Sequence, residues 1–164
     1  LDNGVPKNFD LKQILERFRD HRLEVIQRRS RHDLEKAEAE RHVVEGLIAA
    51  LDHIDEVIRI IRASADRDEA SEALQDRFGL SEVQADAILN MRLARLTALE
   101  RTQLENRLAE LEALIEELRG VLDSEERQLE IMLEELGEVV KKYGDERRTV
   151  ILDDDEAELE APEA

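Results

Sequence analysis

The stretch LENRLAELEALIEELRGVL, residues 104–122, decides the fold. Its apolar side chains Leu104, Leu108, Leu111, Ile115, Leu118 and Leu122 advance in alternating steps of four and three, with charged and polar residues filling most of the gaps. On a helix of about 3.6 residues per turn, that spacing draws one narrow apolar stripe, enough for a single partner helix and too narrow for a broad core. Gly120 and Asp123-Ser124 follow as signals of a kink or a re-capping. The stripe then resumes at Leu129, Met132, Leu136, Val139 and Tyr143, and Gly144 reads as the helix stop.

The partner stripe lies upstream. Asp10 with Gln13 forms a capping-box pattern after the turn-rich 1–9 (Asn3-Gly4, Pro6), and no proline or glycine interrupts the next 35 residues. Apolar positions recur as Leu11, Ile14, Leu15, Phe18, Val25 and Ile26. A heptad-spaced run then carries Leu34, Ala37, Arg41, Val44, Ile48 and Leu51, with Arg41 its one charged member. At about 1.5 Å per residue, a helix over 11–51 is roughly 60 Å long. Gly46 weakens it by about 1 kcal/mol relative to alanine without ending it. The returning stretch 100–144 has nearly the same length.

Between the arms, 52–96 carries short helical signals. One helix opens at Asp52-His53-Ile54-Asp55 and holds Val57, Ile58, Ile60 and Ile61. A second is capped by Asp66 with Glu69 and ends near Phe78-Gly79. A third, capped by Ser81 with Gln84, runs to about Arg95, and Thr97-Ala98-Leu99-Glu100 opens the returning arm. The expected fold is all-α: a long antiparallel coiled-coil hairpin capped by a small globular helical unit. Its parts are a leading segment 1–9, an ascending arm 10–51, a tip 52–96, a returning arm 97–144, and an extended segment and acidic tail 145–164. Thr149 to Leu152 reads as a short extended piece, and 153–164 as disordered.

Composition supports a helical seam. Charged residues make up 40% and aromatic ones 2% of 164 residues. The formal charge is −18, with 22 acidic against 8 basic residues in 100–164, so this part repels phosphate backbones. The run Arg28-Arg29-Ser30-Arg31, with Arg17, Arg19 and Arg22, is either a phosphate-facing patch or a salt-bridged helix surface; Glu24, Asp33, Glu35 and Glu38 around it favour the second. There is no cysteine, hence no disulfide and no thiolate zinc site. That cysteine-free pattern suits a cytoplasmic setting, and no apolar run approaches the ~20 residues of a membrane span. The chain starts at Leu1 without an initiator Met and reads as a fragment.

Catalytic motifs are missing. His21, His32, His42 and His53 stand about three turns apart and cannot converge on one metal ion, so they read as helix-surface histidines. Tyr143 occupies a seam position and reads as packing. The third tip helix is more informative. Val83, Ala87 and Met91 form one stripe, and Ala85, Ile88, Leu89 and Leu93 widen it, continuing into Leu96 and Leu99. Such a surface either packs wholly on the other two tip helices or meets a two-fold copy of itself.

Four stretches carry a resemblance: Leu11-Lys12-Gln13-Ile14-Leu15 with Phe18 and His21-Arg22; Val25-Ile26-Gln27-Arg28-Arg29; residues 84–93 through Leu96-Thr97-Ala98-Leu99-Glu100; and Tyr143-Gly144-Asp145-Glu146-Arg147-Arg148-Thr149. In these the chain resembles the bacterial type IIA DNA topoisomerases, in the C-terminal part of the breakage-reunion core of their A-type subunit. The resemblance covers 1 to about 152. It implies a coiled-coil arm ending in a dimerisation tip, the exit gate or C-gate, which closes the lower opening of an ATP-dependent enzyme and releases a transported DNA duplex. On that basis the dimer interface is expected at Ala85, Ile88, Leu89, Arg92, Leu93, Leu96 and Leu99, and hinge positions at Gly79, Gly120 and Ser124. The resemblance places the transesterifying tyrosine and its arginine upstream of this chain, and Mg²⁺ and ATP on a partner subunit, so no cofactor is expected here. A coiled-coil spacer or adaptor, with a tip that binds another protein or nothing, is the alternative.

Overall fold

The computed structural model describes residues 4–91, 98–146 and 148–149. Among these residues six helices follow in chain order: α1 (Leu11–Asp52), α2 (Ile54–Ala63), α3 (Arg67–Phe78), α4 (Glu82–Leu89), α5 (Ala98–Asp123) and α6 (Glu125–Tyr143). The all-α expectation holds. Helix α1 runs unbroken for 42 residues from a capping box in which Asp10 accepts from the Gln13 amide and the Gln13 side chain accepts from the Asp10 amide.

α1 and the α5–α6 pair lie antiparallel. Ala37, Val44, Leu111 and Ile115 form the buried centre of the seam, flanked by Leu34, Ile48, Leu104 and Leu108. Ion pairs edge it and fix the register. Arg101 meets Asp52 at 2.7 Å, Arg107 grips Glu40 with two bonds of 2.8 and 3.0 Å, and Arg119 reaches Glu38 at 2.6 Å. Further down, Arg22 and Arg29 both pair with Glu135. Arg41, the charged member of the heptad run, turns to Glu45 of its own helix at 3.4 Å. The basic run is absorbed similarly: Arg28 lies 3.9 Å from Glu24, and Ser30 is buried.

The returning arm is broken at Ser124, which leaves the helical conformation (φ −124°, ψ 112°) and caps α6 by accepting from the Arg127 amide. Gly120 stays within α5, so the re-capping lies at Ser124. Gln128, itself buried, repairs the break. Its Nε2 donates to the Val121 carbonyl at 2.8 Å and the Leu122 carbonyl at 3.3 Å, two acceptors that the end of α5 leaves without helical partners. Its Oε1 accepts from Gln27 Nε2 of α1 at 2.8 Å. Ile26, Val121 and Met132 form the core beside this polar stitch.

Two details depart from the sequence reading. Helix α4 ends at Leu89 rather than near residue 95: Asn90 is its C-cap and accepts from Arg67 on its side-chain oxygen, while the Met91 amide bonds to the Ile88 carbonyl and tightens the end. Gly144 closes α6 as the sequence reading has it, in an extended conformation (φ −66°, ψ 137°). Tyr143 and Val139 are exposed, because the α6 part of the seam ends at Leu136. The extended piece and acidic tail fall, beyond Thr149, outside the described residues.

Candidate functional site

At the far end of the arm, α2, α3 and α4 gather around the last turns of α1. Leu47 and Ala50 of α1, Val57 of α2, Leu74 of α3, and Ala85 and Ile88 of α4 form one buried cluster, with Val43, Ile54, Ile60, Phe78, Leu80, Ala87, Leu89, Met91 and Leu104 packed around it. The helices start where their caps demand. Asp66 accepts from the Glu69 amide at 2.9 Å, and Ser81 and Gln84 form a complete capping box. Helix α3 ends on Gly79, whose φ of 66° is the left-handed turn that glycine takes without penalty.

Docking of α4 on α1 relies on a glycine and a glutamine. Gly46 has no side chain, so the Gln84 side chain lies directly against its backbone; a Cβ at Gly46 would meet Gln84 Cγ at 2.7 Å and Cβ at 2.8 Å. From that position Gln84 Nε2 donates to the His42 carbonyl at 2.7 Å, and its Oε1 accepts from the Ser81 amide at 3.0 Å. His42 Nε2 lies 2.7 Å from Ser81 Oγ. His42 therefore fastens the tip, a role that helix-surface spacing did not reveal. His53, the C-cap of α1, stacks on Phe78 with ring centroids 5.7 Å apart.

Outer ion pairs tie the tip helices together. Arg67 of α3 bonds Asp86 and Asn90 of α4, both at 3.1 Å. Arg77 bonds Glu56 of α2 at 2.7 Å, and this hydrogen bond holds the Glu56 carboxyl below its ordinary range and raises Arg77. These shifts favour the charged forms, as in structural ion pairs.

Among the expected interface residues, the structure buries Ala85 and Ile88 inside the tip's own core, because the α4 face carrying Gln84, Ala85 and Ile88 is the one turned to α1. Leu89 is half-buried on the edge of that core. Arg92, Leu93 and Leu96 lie outside the described residues, as does the Leu99 side chain, although Leu99 falls in the first turn of α5. Val83, 60% exposed, is turned away from the core, whereas Ala87 is half-buried against the edge of the cluster. Of the expected hinge positions, Gly79 caps α3, Gly120 is helical and Ser124 is the break. Among the described residues, no three His, Asp or Glu side chains are grouped to hold a metal ion, and no helix is long and apolar enough to cross a membrane.

An unbroken ascending helix, a re-capped returning one and a three-helix tip define a class: a helical arm that presents a small unit at its end. The particular family follows from comparison. The sequence model of the family described as the A subunit of DNA gyrase/topoisomerase IV matches residues 1–137, and the chain belongs to that family. It is similar to the DNA gyrase A subunit of Streptococcus pneumoniae serotype 4, 51% identical over 152 residues, covering 93% of this chain and 18% of that one. It is also similar to the DNA gyrase A subunits of Clostridium acetobutylicum, 51% identical over 151 residues (92% and 18%), and of Fibrobacter succinogenes, 48% identical over 151 residues (92% and 17%). The chain thus spans under a fifth of the length of these curated relatives.

Proposed function

We infer that the tip is a dimerisation gate, the C-gate, of a DNA gyrase, in which two copies meet across a two-fold axis at the end of their arms. The carrying observation is the division of α4. Gln84, Ala85 and Ile88 fasten it to α1, while Val83 is 60% exposed and Ala87, Leu89 and Met91 are only partly buried at the edge of the cluster. A docked helix with an exposed valine and apolar residues only partly covered, carried on a long arm, suits a surface that meets its own copy and separates again. The interface is read as Val83, Ala87 and Leu89 continuing into Arg92, Leu93, Leu96 and Leu99; Ala85 and Ile88 support it from beneath.

In this reading the parent is an ATP-dependent type IIA topoisomerase assembled with gyrase B subunits, and its gate releases a transported DNA duplex. ATP and Mg²⁺ act elsewhere in that assembly, and this chain supplies no catalytic group. The acidic returning arm suits a passage that must not retain DNA. The same surface would serve topoisomerase IV equally, but the gyrase relatives favour gyrase.

Sedimentation of the chain tests the gate. The wild type is expected to be a dimer, and Val83→Glu with Leu89→Glu to be monomeric with unchanged helical circular dichroism. Ile88→Glu separates surface from core: it places a charge in the buried cluster, costs several kcal/mol and lowers helicity as well. A wild type that stays monomeric at high micromolar concentration refutes the gate. A dimer untouched by the Val83 and Leu89 changes refutes the assigned surface.

A further inference from the structure

Local sequence gives α4 no reason to stop at Leu89. Asn90 keeps right-handed helical angles (φ −88°, ψ −4°), no glycine or proline occurs from 90 to 97, and the apolar spacing runs on through Met91 and Leu93. The contact at that end is tertiary. Arg67, in the first turn of α3, donates through Nη1 to Asn90 Oδ1 and through Nη2 to Asp86 Oδ1, both at 3.1 Å. Asp86 and Asn90 are four residues apart, so they stand one above the other and a single planar guanidinium spans both. Within the turn they bracket, the Asn90 amide donates to the Asp86 carbonyl and the Met91 amide to the Ile88 carbonyl, both at 3.0 Å. The second is the tighter three-residue bond found where helices end. A cation at a helix C-terminus is also favoured by the aligned peptide dipoles.

We propose that Arg67 is a positioning residue for the gate surface: by fixing where α4 ends, it sets the direction in which the chain leaves Leu89 and Met91, and with it the strength of the contact between two tips. This rests on the gate reading of that surface. The end of α4 is where the tip's own core gives way to the residues read as interface, since Ile88 is 3% exposed while Leu89 and Met91 are only partly buried. Each helical residue adds about 100° of rotation, so a stop displaced by one residue re-aims every side chain after it. Stability is not where this contact counts. The Arg67 and Asp86 side chains are 53% and 51% exposed, and ion pairs so open to water add little to folding. A two-pronged bond that is weak for stability, yet placed on the last turn before the interface, acts by placement.

Sedimentation equilibrium of the 164-residue chain, with urea unfolding at a dilution where every sample is monomeric, tests the proposal. Arg67→Leu is expected to weaken the dimer by about tenfold or more while helical circular dichroism and the urea midpoint stay near wild type. Arg67→Lys keeps the charge but has no fork to span two acceptors, and is expected to recover only part of the loss. Arg67→Leu combined with Asn90→Ala is expected to be no weaker than Arg67→Leu alone, because both remove the same bond. Additive losses in that pair overturn the proposal, since the two side chains then act apart. A dimer within about twofold of wild type in Arg67→Leu overturns it and leaves the gate standing. A wild type that is itself monomeric overturns the gate and this proposal with it. A matching loss of monomer stability also overturns it, because Arg67 then acts by holding the tip folded. If Arg67→Leu loses its helices, Asn90→Ala is read instead, and a dimer as strong as wild type overturns the proposal.

Discussion

Two helical glycines answer the same substitution with opposite signs if the tip docks as described. At Gly120, within α5, a Cβ meets nothing within 4 Å, so Gly120→Ala should stabilise the chain by about 1 kcal/mol through helix propensity alone. Gly46, within α1, starts with the same propensity gain. There, however, the new Cβ falls 2.7 Å from Cγ and 2.8 Å from Cβ of Gln84, and these atoms stand close to the α4 backbone and cannot rotate away. Overpacking of this kind costs about 1–3 kcal/mol. Displacing α4 also strains the Gln84 bond to the His42 carbonyl, worth about 1 kcal/mol. Subtracting the propensity gain leaves Gly46→Ala destabilising by about 2 kcal/mol, a lowering of Tm by about 4–8 °C for a chain of this size.

Thermal and urea unfolding followed by circular dichroism read both variants. Gly46→Ala combined with Gln84→Ala sharpens the test. Removing Cγ and Cδ relieves two contacts and leaves the Cβ contact at 2.8 Å, so the pair should be less destabilised than the separate losses imply. A Gly46→Ala variant as stable as Gly120→Ala would refute the reasoning, because α4 would then not rest on the α1 backbone.

Two further predictions concern polar groups. Gln128→Ala removes the side chain that satisfies the Val121 and Leu122 carbonyls and leaves Gln27 without its partner; it should cost about 1–3 kcal/mol in urea unfolding, and a loss under about 0.3 kcal/mol would show the stitch to be ornamental. Acid should weaken the inter-arm and tip ion pairs. The Arg107 hydrogen bond holds Glu40 below the ordinary glutamate value of 4.5, and Arg77 does the same to Glu56, so the folded state binds these protons less readily than the unfolded one. Their contribution is full above about pH 4.5 and is lost as pH falls through the lower folded-state values. A side-chain titration by NMR should show the Glu40 pKa rising in Arg107→Leu, and an unchanged value would contradict the pairing.

The arms and caps were legible because they rest on local chemistry. The 4-3 spacing from Leu104 to Leu122, the boxes at Asp10-Gln13 and Ser81-Gln84 and the side-chain cap at Asp66 rest on near neighbours in the chain. What the sequence concealed depended on which way a helix rolls. On α4, eight residues long, apolar residues at 83, 85, 87, 88 and 89 surround the axis, so their spacing cannot say which side meets α1. That choice is made at a distance, by Gly46 leaving room for Gln84, and it sends Ala85 and Ile88 inward. The early end of α4 was hidden for a similar reason, since Arg67, 23 residues before Asn90, holds it. The base misled in the other direction: Leu11, Ile14, Leu15, Phe18, Val139 and Tyr143 keep the seam's spacing, yet among the described residues they are exposed.

The two arms also differ in what motion they permit. α1 carries an unbroken ladder of backbone hydrogen bonds through 42 residues, and bending it requires opening that ladder. The returning arm has already given up helical continuity at Ser124, where Gln128 supplies the missing bonds from a side chain. Rotation there exchanges side-chain bonds instead of breaking a helix, which costs less. On the proposed reading, with the tip docked through Gln84, a moving arm would bend where Gln27 and Gln128 meet. Gly120, inside an intact helix, and Gly79, capping α3 within the tip, are then poorer hinges than Ser124. Gln27→Ala tests this separately from stability, because it frees α1 from the stitch while leaving the Gln128 bonds to Val121 and Leu122 in place. Distance measurements between spin labels on the two arms, above and below residue 124, should broaden in Gln27→Ala while α1 keeps its helicity. Unchanged distributions would place the flexibility elsewhere.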